Sequence, residues 1–82
     1  MGFSQKIVNQ TVNKGGMFRY TFTHDNDKKI MRINPLCSCI KYSVSMPDIT
    51  FWYKANKTTT KIVVITYDDE SSDFLQLQTT IK

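Results

Sequence analysis

From Met17 to His24 the chain alternates strictly. Phe18, Tyr20, Phe22 and His24 fall on one side, Arg19, Thr21 and Thr23 on the other. Successive side chains of an extended strand point to opposite faces, so this stretch specifies a strand with one aromatic and one polar face. Three large rings are hard to spare from the core of a small domain, and their expected place is the inward face of a two-layer β structure.

The rest of the chain repeats the theme with less regularity. Strands are expected at Lys6–Val12, Lys29–Asn34, Leu36–Ser45, Ile49–Tyr53, Thr59–Tyr67 and Phe74–Ile81. Turn residues separate them at Asn13–Gly16, Asp25–Lys28, Met46–Asp48, Lys54–Thr58 and Asp68–Asp73. Asn9 and Gln10 interrupt the first strand, which suits an edge. Pro35 has no N–H to give a ladder, so it divides the third strand from the fourth. The IVVIT run at Ile62–Thr66 reads as buried on both faces in its middle. About seven short strands at spacings of roughly 8–12 residues, with no convincing helix, point to an all-β sandwich or small barrel. Composition agrees: Ile, Val, Phe, Tyr and Thr dominate, while Ala occurs only at position 55. The 82 residues make one domain, 1–82.

Ile30–Val44 holds both cysteines. On the expected Leu36–Ser45 strand, Cys37, Cys39, Lys41 and Ser43 share a face. Two sulfurs on one side are half of a zinc or iron–sulfur site, but His24 is the one further soft ligand in the chain, so no tetrahedral site closes within it. A disulfide between extended neighbours would need the backbone to distort, because their Cα atoms stand near the upper limit for bridging. The expectation is that both cysteines are packed and reduced. No catalytic, cofactor-binding or metal site is expected. The single His24 ties to no particular Ser and acid, and Asp68, Asp69, Glu70 and Asp73 lack calcium-loop spacing and read as a solvated acidic turn.

Two stretches carry the binding expectations. In Phe51-Trp52-Tyr53 alternation must send neighbouring rings to opposite faces, so at least one is exposed or only partly buried, and Lys54, Lys57 and Lys61 follow nearby. Aromatic residues beside cations are common anchors of protein interfaces. These six residues are the candidate partner-binding set. The alternative is the Phe18/Tyr20/Phe22 face, which, if exposed, could stack on single-stranded nucleic acid. The net charge of +4 would assist that, although acidic residues are interleaved and it serves solubility equally well.

GGMFRYTF bears some likeness to the aromatic strand of OB-type barrels. A broader resemblance runs from about Gly15 to Asp68. Phe22 to Ile30 has the spacing of an F-x-N-x-G-x-x-P-L motif, and Leu36-Cys37-Ser38-Cys39-Ile40 stands where S-C-G-C-T would. Tyr53–Thr58 and Lys61–Tyr67 follow as the turn and the next strand. In this the chain resembles the small bacterial Ig-like domains of the ASH/MSP-like type. It departs from them at His24, Asn26, Lys29 and Ser38. The resemblance implies an Ig-like sandwich of about seven antiparallel strands that acts as an interaction module, with no cofactor and no enzyme activity.

The functional expectation is a non-enzymatic structural or interaction protein, most specifically a bacteriophage virion accessory that decorates or stabilises a capsid. Its partner would then be a larger protein assembly such as a major capsid protein. A composition rich in Lys, Asn, Ile and Tyr and poor in Ala suits an AT-rich genome. A small inhibitor of a host protein, binding by strand addition at an open sheet edge, is the third class. MGFSQK is followed by no apolar signal core, and Ile62–Ile65 is far too short to span a membrane, so the expected location is the virion or host cytoplasm, not a membrane.

Overall fold

The structure, a computed structural model, describes residues 3–24 and 27–82. Its seven strands are β1 (Phe3–Val12), β2 (Gly16–Thr23), β3 (Ile30–Pro35), β4 (Lys41–Ser45), β5 (Asp48–Ala55), β6 (Thr59–Tyr67) and β7 (Ser72–Ile81). They form two sheets, one of order β1-β7-β6-β3 and one of order β2-β5-β4. Among the described residues there is no helix. Asp25 and Asn26, half of the turn expected after β2, lie outside the described residues.

Successive strands repeatedly change sheets, and this builds the sandwich. The strands are not all antiparallel as expected: β1 lies parallel to β7 at the edge of the four-stranded sheet, with Val8 beside Leu77 and Val12 beside Ile81. The Asn13–Gly16 turn then carries the chain to the other layer. Gly15 sits at φ 84, a left-handed conformation that a Cβ would disfavour, and its N–H donates to Ala55 O at 2.7 Å. The remaining pairings are antiparallel: β2 with β5, β5 with β4, β3 with β6, and β6 with β7.

Alternation decides what enters the core. β2 and β5 turn Phe18, Tyr20, Phe22, Ile49, Phe51 and Tyr53 inward, and these meet Val63, Ile65, Tyr67, Leu75 and Leu77 from the opposite layer. Phe18 and Tyr53 stack with ring centroids 4.9 Å apart. The aromatic strand therefore lines the core, and its rings are not a free stacking platform: Phe18 is fully buried, and Tyr20 and Phe22 are half-buried against the same cluster.

Two expectations about strands are corrected. β6 is not buried on both faces; Val63, Ile65 and Tyr67 are buried, whereas Ile62, Val64 and Thr66 face out and are half-buried. One side of an outer sheet has no third layer to cover it. The fourth strand begins only at Lys41, because residues 36–39 form bends and turns. Leu36 N–H donates to Ile62 O at 2.9 Å and Ile40 N–H to Cys37 O at 3.1 Å, closing a tight corner from one sheet to the other. Within it Cys37 and Cys39 are joined by a disulfide, with Cα atoms 5.2 Å apart, rather than packed as free thiols. The bend removes the extended geometry that would have held the two sulfurs apart.

Candidate functional site

The six residues expected to form one binding surface are divided by the pleat of β5. Phe51 and Tyr53 are 0% and 2% exposed and belong to the core, so they cannot contact a partner. Trp52 and Lys54 point outward on the three-stranded sheet. Trp52 stands across from Arg19 of β2 and Lys41 of β4, and with Met17 and Arg19 it lines a shallow cavity of about 200 Å3. Lys57 is exposed in the β5–β6 turn. Lys61 belongs to the inward row of β6, where its Nζ lies 5.2 Å from the centroid of the Tyr53 ring and 4.0 Å from Cys37 Sγ.

Tyr53 itself is structural. Its hydroxyl shares a buried hydrogen bond with Thr79 Oγ1 of β7. Burial pushes the phenol above its ordinary value of 10.0, and the bond to Thr79 pulls it down by less. The folded state thus holds this proton more tightly than the unfolded chain does. The resulting stability is full below about pH 10 and is lost as pH rises through the folded-state value. In alkaline titrations followed by circular dichroism, wild type should lose stability above about pH 10 more steeply than Tyr53→Phe. Parallel curves would remove Tyr53 as the cause.

The surface that sequence reasoning missed lies on one flank of the sandwich. On the flank formed by β1 and β2, side chains join the layers: Gln10 Nε2 donates to Arg19 O at 2.6 Å, and Lys6 Nζ lies 5.8 Å from the Tyr20 ring centroid. The opposite flank, between β3 and β4, stands open. There a cleft of about 510 Å3 is lined by His24, Ile30, Ile33, Val44 and Met46, with Lys28, Lys29, Asp27 and Asp68 at its rim. All five residues of β4 are exposed. Tyr42 and Val44 occupy the inward row of the sheet, opposite Phe51 and Ile49, yet they are 43% and 48% exposed. β4 overhangs the layer beneath it. Met46 beyond its end is 56% exposed. Alternation shows that Tyr42 and Val44 face one way; nothing local shows that the opposite sheet ends before covering them.

His24 lies at the floor of this opening, as the alternation from Phe18 places it. It is 5% exposed, and its ring meets Tyr67 edge-on at 6.3 Å between centroids. Neither ring nitrogen has a hydrogen-bond partner among the described residues. Among the described residues no three of His, Cys, Asp and Glu cluster as metal ligands, and both cysteine sulfurs are taken up by the disulfide. No helix among the described residues is long and apolar enough to cross a membrane.

No protein-family model and no curated protein matches the sequence. Among solved structures, the M1 domain from titin superposes with a TM-score of 0.69 over 96% of this chain and 91% of that domain, at 11% sequence identity. At that identity the likeness shows an Ig-like fold and no assignment to the ASH/MSP-like type. With seven strands in two packed sheets, the chain is an all-β, Ig-like sandwich.

Proposed function

We propose that this domain is a non-enzymatic interaction module of a larger protein assembly, and that it receives an extended segment of its partner along β4. The carrying observation is the overhang of β4. Among the described residues its outer edge has no neighbour in the sheet, and two inward-row side chains, Tyr42 and Val44, stay 43% and 48% exposed beside the open cleft that separates β4 from β3.

The other edges are blunted by recognisable devices. β3 carries a register shift between Ile30 and Arg32 and ends at Pro35, both of which discourage further pairing. β1 and β2 lie against one another, joined by Gln10 and Lys6. β4 has neither proline nor bulge within it. An added strand would satisfy its free backbone groups, and alternate apolar side chains would fill the cleft over Val44, Met46 and Ile33.

The specific reading is a bacteriophage virion accessory protein that decorates or stabilises a capsid, and amino-acid composition supports it: Lys, Asn, Ile and Tyr are abundant and a single Ala is present. Purified particles should retain the protein through a density gradient, and Val44→Lys should weaken its incorporation by roughly 30-fold or more, the scale of losing one interface anchor. Absence from particles sinks the virion reading. Retention of the Val44→Lys variant at wild-type occupancy sinks the β4 docking mode.

A further inference from the structure

The corner between β3 and β4 carries chemistry that docking along β4 does not use. Cys39 is exposed and Cys37 half-buried, and the bond between them closes over a single intervening residue. Cys39 also lines a cavity of about 200 Å3 together with Lys54, Lys57, Lys61, Asn56 and Thr59. No acidic residue among the described ones lines that cavity. An exposed cysteine of the disulfide therefore shares a cavity with three lysines, and one of them, Lys61, brings its Nζ to 4.0 Å from Cys37 Sγ.

The two sulfurs are not equivalent. Cys37 Sγ receives the backbone N–H of Cys39 at 3.2 Å and lies 4.0 Å from Lys61 Nζ. Both contacts favour negative charge on Cys37, as cations and N–H donors do for any thiolate. Cys39 is the exposed residue of the pair, which favours attack at its sulfur.

From this geometry we infer that Cys37–Cys39 is a thiol–disulfide exchange site for small anionic thiols, with Cys39 as the attacked sulfur and Cys37 as the leaving group. A thiolate drawn in by Lys54 and Lys57 attacks Cys39 Sγ. The Cys37–Cys39 bond breaks, its electron pair stays on Cys37 Sγ beside Lys61, and a mixed disulfide forms on Cys39. A second thiolate attacks the sulfur of the bound thiol, expelling Cys39 as thiolate and releasing the small-molecule disulfide. Two thiolates are oxidised, the protein disulfide gains two electrons, and two protons from solvent convert the cysteines to thiols. Both steps follow the ordinary course of disulfide exchange.

The probe is glutathione, an anionic thiol, compared per thiolate with its diethyl ester, which carries the same thiol without the carboxylates. The oxidised protein is mixed with each, quenched with acid, alkylated and mapped by mass spectrometry. Glutathione should react about tenfold faster than the ester at low salt, and the preference should shrink as salt is raised. The Lys54→Gln/Lys57→Gln variant alters exposed side chains and should lose the preference. Lys61→Gln should slow glutathione and ester alike, because it acts on the leaving sulfur. The mixed disulfide should sit on Cys39, with the alkyl group on Cys37. Equal rates for the two thiols, an adduct on Cys37, or a disulfide inert to both would overturn the assignment. None of these outcomes depends on whether β4 binds a partner.

Discussion

Phe51→Ala should strip this domain of most of its stability, while Trp52→Ala, one residue further along β5, should leave it folded. Phe51 is fully buried, with Tyr42 beside it at 6.0 Å between ring centroids and Tyr20 directly across on β2. Truncating such a ring costs about 3–5 kcal/mol, from lost burial and from the cavity left behind. At the usual 0.05–0.15 kcal/mol per residue, a chain of this length has a total of about 4–12 kcal/mol. The melting temperature should fall by roughly 15–30 °C, or cooperative unfolding should vanish. Trp52 faces outward, half-exposed among Arg19, Met17 and Lys41, and its loss should cost about 1 kcal/mol or less. Thermal and urea unfolding of both variants makes the comparison. Similar losses at the two positions would contradict the inward and outward assignment of β5. Trp52→Ala also supplies a folded protein for binding assays on the outer sheet face, which Phe51→Ala cannot.

That pair of residues marks how far the sequence was legible. Alternation, β-branched runs and turn residues together indicated about seven strands, and the IVVIT run gave β6 its observed bounds, Thr59–Tyr67, although the fourth strand was expected from Leu36 and begins at Lys41. Alternation also implied that Phe51, Trp52 and Tyr53 cannot all face one way. It could not say which way each faces, because an aromatic ring suits a core and an interface equally. The answer came from register: β5 lies between β2 and β4, and the inward row of β2 fixes its own. The corner at residues 36–40 was misread for a related reason. Leu36–Ser45 alternates well enough for one strand, but β3 and β4 belong to different sheets, and the crossing consumes five residues. Pro35 signalled the break in the ladder without signalling the change of layer. The disulfide follows from that bend, and no spacing rule for extended chain would have found it. The open flank was invisible for the most general reason: it arises where one sheet ends relative to the other, a property of packing between residues far apart in sequence.

At the floor of that flank, His24→Leu should stabilise the isolated domain. A neutral imidazole carries one donor and one acceptor, and here both nitrogens are buried without a partner among the described residues. Leaving a polar group unsatisfied away from water costs about 1–3 kcal/mol, whereas an apolar side chain of similar volume carries no such cost. The gain should be about 1 kcal/mol or more, a rise of roughly 4–8 °C in melting temperature. A fall instead would mean that solvent in the 510 Å3 cleft reaches the ring and satisfies it. The same variant bears on docking. His24 lies directly beneath the cleft that a strand added to β4 would cover, and a partner with a polar side chain at that register would supply the missing hydrogen bond. His24→Leu would then raise the melting temperature of the free domain and weaken its complex. A variant that gains stability with unchanged binding identifies His24 as a packed residue of the core's end; one that gains stability and loses binding identifies it as part of the recognition surface.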